Sequence, residues 1–242
     1  MSMQPKFLLL KSLFYIIPLA LTVSGCFDKT AEKLQETPQK STALSTQESF
    51  PPIKNNYDFA MKDDKIGQNL KANVDYYMLA LSWSPSFCWT QYEKYGNHLP
   101  DSAEYQCGIK KKYGWVIHGL WPQSATARTV AGHPRLCKGD LPQVEENVVR
   151  QYMAESPSPN LLQAEWEKHG ACAFDRAEQY FAKQQALYRT LTLPTVEMKG
   201  KELFSWLRKN NPQLRHAYLG ASRDELYICY DLNWQVINCP KQ

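Results

Sequence analysis

Trp115-Val116-Ile117-His118-Gly119-Leu120-Trp121-Pro122 sets one histidine in a run of β-branched, aromatic and small residues. Residues 114–118 have the composition of a strand, with His118 near its end. Gly119 permits close approach of another part of the chain, and Trp121 offers a flat ring beside the imidazole. Working outward, Tyr76-Tyr77-Met78-Leu79-Ala80-Leu81-Ser82-Trp83 reads as another strand. Residues 226–230 and 234–237 alternate on either side of Asp231-Leu232-Asn233, a hairpin pattern. Between these strands, apolar residues recur at helical spacing over 144–153, 161–169, 177–191 and 201–209. Neither βαβ alternation nor a glycine-rich phosphate loop occurs, so the fold class is α+β.

A second segment, Glu165-Trp166-Glu167-Lys168-His169-Gly170-Ala171-Cys172, gathers a carboxylate, a cation and an imidazole. Glu165, Lys168 and His169 stand at i, i+3 and i+4, which on a helix puts them on one face. Leu162 and Trp166 fall on a neighbouring face and would anchor the helix in a core. Asn160 and Gln163 suggest a start signal and Gly170 a stop. Glu167 reads as a surface residue. Taken alone, such a helix is more readily a solvated charged face, and a lone histidine like His118 is usually a satisfied core residue. The two segments together are more specific. Two histidines beside a lysine can divide the proton transfers of phosphodiester cleavage, one taking a proton from a 2′-hydroxyl and the other donating to the leaving oxygen.

Other functions remain open at this level. A metal hydrolase with His118, His169 and Glu165 as ligands is the second reading, but the sequence lacks His-Glu-x-x-His or Cys-x-x-Cys spacing, which argues against it. An RNA-binding module without turnover is a third reading. Bulk charge decides little: 28 basic and 24 acidic residues give +4, and removing residues 1–25 with Lys6 and Lys11 leaves +2.

The N-terminus has the layout of an export signal. Lys6 and Lys11 precede an apolar stretch over 13–23, which ends in Leu21-Thr22-Val23-Ser24-Gly25-Cys26. That ending resembles a bacterial lipoprotein box, in which Cys26 is the lipidated residue. The expectation is a signal at 1–25 and a lipid anchor at Cys26 in the outer membrane of a Gram-negative periplasm; soluble periplasm is the alternative. Residues 26–73 are polar, with Pro38, Pro51 and Pro52, and read as a flexible tether. Tyr57 and Phe59 leave room for part of it to pack on the domain. Residues 74–242 are long enough for one domain with a real core. With Cys26 set aside, six cysteines remain: Cys88, Cys107, Cys137, Cys172, Cys229 and Cys239. In an exported chain these read as three disulfides, with fifteen pairings open. Cys229 and Cys239 flank the hairpin and are the easiest local pair.

Three segments, taken in order, resemble the ribonuclease T2 family: Leu79 to Cys88, Trp115 to Gln123 and Glu165 to Cys172. The likeness spans about residues 75–240 and is greatest to the bacterial periplasmic branch, ribonuclease I. It implies an antiparallel sheet packed against several helices and stapled by disulfides. It also implies metal-free, cofactor-free endonucleolytic cleavage of single-stranded RNA through a 2′,3′-cyclic phosphate, with broad base specificity. By position, His118 and His169 would be the acid–base pair, Lys168 would stabilise the phosphorane and Glu165 would orient or polarise. Trp121 would lie against a base, and Leu161 is placed with it among the substrate-binding positions. The family pattern suits the pairs Cys88–Cys107, Cys137–Cys172 and Cys229–Cys239. Many members carry a third, phosphate-binding histidine where this chain has Ala164; either it is dispensable, as in the bacterial branch, or His133 or Arg135 is a candidate to fill in, although a loop histidine beside proline is more often structural. His98 and His216 have no motif around them. RNA and, through Cys26, a lipid surface are the expected partners; no protein partner is expected of what reads as a monomer.

Overall fold

The computed structural model describes residues 51–109 and 111–240. The export signal, Cys26 and the tether up to residue 50 lie outside the described residues.

Strand β1, Tyr76–Trp83, is almost wholly buried. It is a central strand, as its apolar run predicts. It passes directly into α1, Ser84–Tyr95, and then α2, Asp101–Cys107. These two helices had no periodic signature. In α1 the large residues Trp89, Tyr92 and Tyr95 are exposed, so no apolar stripe marks a buried face. A disulfide between Cys88 and Cys107 clips the pair together.

Strand β2, Trp115–Gln123, continues past His118, where the sequence had suggested an end. Gly119 and Pro122 read as breakers. Pro122 is tolerated because β2 is the edge of an antiparallel sheet ordered β2-β1-β4-β3. The outer edge of β2 is covered rather than left open. The Leu120 N–H donates to Tyr180 Oη at 3.0 Å, the Ile117 N–H donates to the Glu155 carbonyl at 2.8 Å, and Tyr188 Oη donates to the Trp115 carbonyl at 2.8 Å.

Helices α3 (Glu146–Tyr152), α4 (Pro159–Lys168), α5 (Ala177–Arg189) and α6 (Gly200–Asn210) fall on the four periodic segments. Strands β3 (Gly220–Ala221), β4 (Glu225–Tyr230) and β5 (Val236–Ile237) complete the sheet. The β4–β5 turn is tied by Asp231, whose Oδ1 accepts from the Asn233 and Gln235 N–H groups, and Cys229–Cys239 braces it. One face of the sheet, with Leu79, Leu81, Ile117, Leu226 and Ile228, packs on Leu162, Trp166, Tyr180 and Phe181 of the helices. Among the described residues no helix is long and apolar enough to cross a membrane.

The polar tether needs correction over residues 51–73, which pack on the domain as an arm. Ile53 and Tyr57 are core residues, and Tyr57 Oη donates to the Val144 carbonyl at 2.5 Å. Tyr105 Oη donates to the Pro52 carbonyl at 2.7 Å, and Lys54 pairs with Asp101 and Glu104. Asn69 and Arg135 exchange backbone hydrogen bonds at 3.0 and 3.2 Å. Polar composition misled because two apolar side chains, spaced four apart, suffice to anchor the segment while backbone and polar groups do the rest. Replacing Tyr57 with Ala should lower unfolding free energy by about 3–5 kcal/mol, as for other large buried aromatic truncations. Denaturant titration of the oxidised protein measures it. A change below about 0.5 kcal/mol, the usual effect at a free surface, would return the segment to a tether.

Candidate active site

The site begins with an irregularity in β2. Ala80 pairs with Gly119 and Leu81 with Ile117, so His118 is the extra residue of a bulge. A bulge bends the strand and re-aims a side chain. The His118 imidazole thereby meets two carboxylates. Its Nδ1 lies 2.5 Å from Glu225 Oε1, and its Nε2 lies 3.4 Å from Glu165 Oε1. Glu225 opens β4, one strand beyond β1. It is held by Tyr227 Oη at 2.6 Å and by Ser82 Oγ at 3.2 Å.

Glu165 comes from α4. Ser158 caps this helix, its Oγ accepting from the Leu161 N–H at 3.2 Å, with Pro159 in the first turn. The cap is therefore Ser158 rather than Asn160 and Gln163. Leu162 and Trp166 are buried and fix the helix in the core, as expected. The Glu165 carboxylate is pressed onto β2, where Trp121 Nε1 donates to its Oε2 at 2.6 Å. Only glycine fits at position 119: an added Cβ would lie 1.9 Å from Glu165 Oε2.

α4 stops at Lys168, one residue before His169. His169 has left the helical conformation, with φ −127° and ψ −54°, and a short 3₁₀ turn follows at Gly170–Cys172. The three-residue face inferred from the helix spacing is thus divided. Glu165 and His169 turn toward β2, and Lys168 goes elsewhere. The Trp121 ring sits against both imidazoles, 5.1 Å edge-on from His118 and 5.6 Å from His169 between ring centres. The helix end is fastened by Cys137–Cys172 and by the Leu136 N–H, which donates to the Lys168 carbonyl at 3.0 Å. Leu136 has φ +48°, a conformation costing about 1–3 kcal/mol for such a residue. Its complete burial and the adjacent disulfide hold it there.

The two histidines differ in charge. Burial pulls the His118 pKa down, but Glu165 and Glu225 outweigh it and lift the value to about 10. Burial also dominates at His169, where Arg135, His118 and Lys168 oppose a proton and Glu165 only partly compensates; its pKa falls to about 4. Burial would raise the Glu165 pKa, yet the nearby imidazoles and the Trp121 N–H hold it down at about 2. At neutral pH the site holds an imidazolium at His118, a neutral imidazole at His169 and a carboxylate between them.

Of the other residues singled out from sequence, Lys168 stands 3.5 Å from Asp64 of the arm, with its ammonium 4.4 Å from the Phe59 ring centre. Arg135 is buried and pairs with the same Asp64 at 2.8 Å. His133 Nδ1 accepts the Ser124 N–H at 3.1 Å and serves the loop. Leu161 is half-buried in the first turn of α4, one turn from Glu165 on the same face. Glu167 is a correction. It is fully buried, accepting from the Leu141 N–H at 3.0 Å and from Gln163 Nε2 at 2.7 Å, and so ties α4 to the preceding loop. His98 and His216 are exposed. Among the described residues no group of His, Cys, Asp and Glu has the arrangement of a metal site.

Comparison with known proteins agrees with this geometry. The sequence model of the Ribonuclease T2 family matches residues 74–219. A "Probable ribonuclease" of Haemophilus influenzae is 60% identical over 189 residues, 78% of this chain and 70% of that protein. Ribonuclease T2 of Sus scrofa is 33% identical over 142 residues, 52% of this chain and 67% of that one. The chain belongs to the ribonuclease T2 family. It is accordingly an endoribonuclease. The fold also resembles a solved "RNase-related protein from Calystegia sepium", with a TM-score of 0.50 at 21% identity over 70% of this chain and 92% of that one.

Glu225 is the member of this ribonuclease T2 site that sequence reading missed. It lies 60 residues past Glu165, beside the buried run Leu226–Tyr230, and looked like a strand end. A charged residue at the head of a buried strand was the available signal. Because the His118 pKa is raised, the stability contributed by its two carboxylates is full below about pH 6.5 and is lost as the pH rises toward 10. In Glu225→Gln, the His118 proton should leave at lower pH, by about one unit or more, the usual effect of deleting a contacting opposite charge. NMR titration of the His118 ring reads this directly. An unchanged titration would show that Glu165 alone holds the proton.

Proposed function

We propose that this endoribonuclease cleaves single-stranded RNA without metal, by attack of the 2′-hydroxyl on the adjacent phosphorus, leaving 2′,3′-cyclic phosphate ends. The observation that carries the reading is the convergence of two imidazoles on one Trp121 ring, with the Glu165 carboxylate hydrogen-bonded to that ring and facing His118. His169, neutral, takes the 2′-hydroxyl proton. His118, protonated, gives its proton to the leaving 5′-oxygen. With pKa values of about 4 and about 10, nearly every molecule has this pattern between those limits. The reverse assignment needs His118 neutral and His169 charged. The opposite directions of the two shifts favour this assignment over the reverse. Glu165 keeps the His118 proton in place, and Lys168 meets the charge that develops on the phosphorane. Trp121 and Leu161 flank the base side. Ring stacking tolerates any base, which supports broad specificity.

Changing either His118 or His169 to Ala should lower kcat by about 10²–10⁴-fold with the fold retained. In the native enzyme kcat/KM should rise with pH on a limb well below 6.5 and fall on a limb well above it, because the base is depressed and the acid raised. Cleavage should persist in excess chelator and stop at a 2′-O-methyl nucleotide placed 5′ of the scissile bond. Cutting at that blocked position would remove the 2′-hydroxyl as nucleophile and with it both histidine roles.

For location, we propose export and lipidation at Cys26, supported by Lys6, Lys11 and the run ending in Gly25-Cys26. Mass spectrometry of the mature chain should find acyl groups on Cys26, and Cys26→Ser should release the enzyme from membranes with its turnover unchanged. A mature chain bearing no lipid and starting elsewhere would replace the anchor with a soluble periplasmic enzyme.

A further inference from the structure

The family match begins at residue 74, yet the arm before it reaches the catalytic helix. Asp64 is its deepest charged group. Its side chain is 5% exposed, and Oδ1 accepts the N–H groups of Ile66 and Gly67 at 2.9 and 3.0 Å. Its other oxygen faces two cations, Arg135 at 2.8 Å and Lys168 at 3.5 Å. Phe59, five residues earlier, lays its ring 4.4 Å from the same ammonium. Both cations lie close enough to His169 to oppose its protonation.

A lysine at the last turn of a helix would ordinarily extend into solvent, its long side chain free to rotate. Here a carboxylate locked by two backbone donors, an aromatic ring and a buried guanidinium surround it. Asp64 is too well anchored to follow the lysine about, so the lysine is held to Asp64. We propose that Asp64 is a positioning residue of the active site, holding Lys168 beside His169 so that its ammonium is in place for the phosphorane. The arm, which precedes the stretch matched by the family model, is then a part of the catalytic apparatus. Arg135 shares the carboxylate and keeps Asp64 charged and fixed. This inference rests on the role given to Lys168 in the ribonuclease reading.

The test uses the whole mature enzyme and a fluorogenic RNA oligonucleotide. Asp64→Asn should lower kcat by about 10-fold, since a displaced charge stabilises the transition state poorly. KM should change less than about 3-fold, and Asp64→Glu should recover part of the loss. In a Lys168→Ala background the Asp64→Asn change should cost less than about 2-fold, because coupled residues are not additive. Phe59→Leu, at a half-exposed position that leaves the fold intact, should lower kcat by about 2–5-fold through loss of the ring–cation contact. If Asp64→Asn fails to fold, Phe59→Leu decides, and unchanged turnover there overturns the inference. A kcat for Asp64→Asn equal to or above the native value, with Lys168→Ala impaired, would show that Asp64 masks the lysine or merely staples the arm. An equal loss in both backgrounds would overturn it too. Full activity of Lys168→Ala would instead refute the role of the lysine itself, and the inference would fall with it.

Discussion

One buried carboxylate organises this enzyme. Glu165 is nearly removed from solvent and still charged, which in isolation would cost several kcal/mol. The structure meets that cost locally. The protonated His118 supplies the opposite charge and Trp121 supplies an N–H. Each compensating group is thereby fixed by the group it compensates. The carboxylate can approach the strand only because residue 119 has no Cβ. A single glycine therefore conditions the position of His118, the tryptophan and the helix that leads to His169.

Supporting parts follow from the need to hold that contact. The bulge turns His118 out of the regular pleat, and Glu225 takes its second nitrogen. With both ring nitrogens facing carboxylates, the ring cannot rotate without losing a charged hydrogen bond. On the other side, α4 must end where it does. His169 still donates its N–H to the Glu165 carbonyl at 3.0 Å and so keeps the face of Glu165, while its φ of −127° ends the helix there. The termination is enforced from outside by the strained Leu136, whose N–H takes the Lys168 carbonyl, and by Cys137–Cys172 four residues beyond. A bridge of this kind contributes about 2–4 kcal/mol, enough to offset the backbone strain.

Much of this was legible from sequence, and the remainder was hidden for identifiable reasons. Long periodic signals carried β1 and helices α3 to α6, since burial on one face leaves a pattern. The even count of six cysteines carried three bridges, and the family likeness carried their pairing. His118, Glu165, Lys168 and His169 stood out because charged and imidazole groups interrupt apolar runs. Spacing failed where geometry departed from regularity. His169 counts as i+4 of Glu165 but has left the helix, and His118 looked terminal because Gly119 and Pro122 disguise an edge strand. Glu225 and Asp64 were out of reach for another cause. Their partners lie 107 and 71 residues away, and a single sequence records no such pairing. Glu167 was misjudged because charge normally means exposure, whereas here Gln163 and the Leu141 N–H satisfy it inside.

The arrangement also bears on why two residues of one type behave oppositely. In the proposed reaction His118 must keep a proton and His169 must lack one, although both are largely enclosed. Burial alone would neutralise both. The difference lies in which charges face each ring: two carboxylates at His118, against Arg135, Lys168 and the His118 cation at His169. A base depressed to about 4 is a weak base, so the free enzyme is not at its catalytic best. In the proposed reaction a phosphodiester bound beside His169 would bring negative charge there and offset the repulsion from the neighbouring cations. That raises the basicity of His169 only when substrate is present. Of these cations only Lys168 is given to the phosphorane in the proposed reaction, Arg135 being buried against Asp64. In that proposal Lys168 acts twice, first keeping His169 free of a proton and then stabilising the charge that the reaction creates.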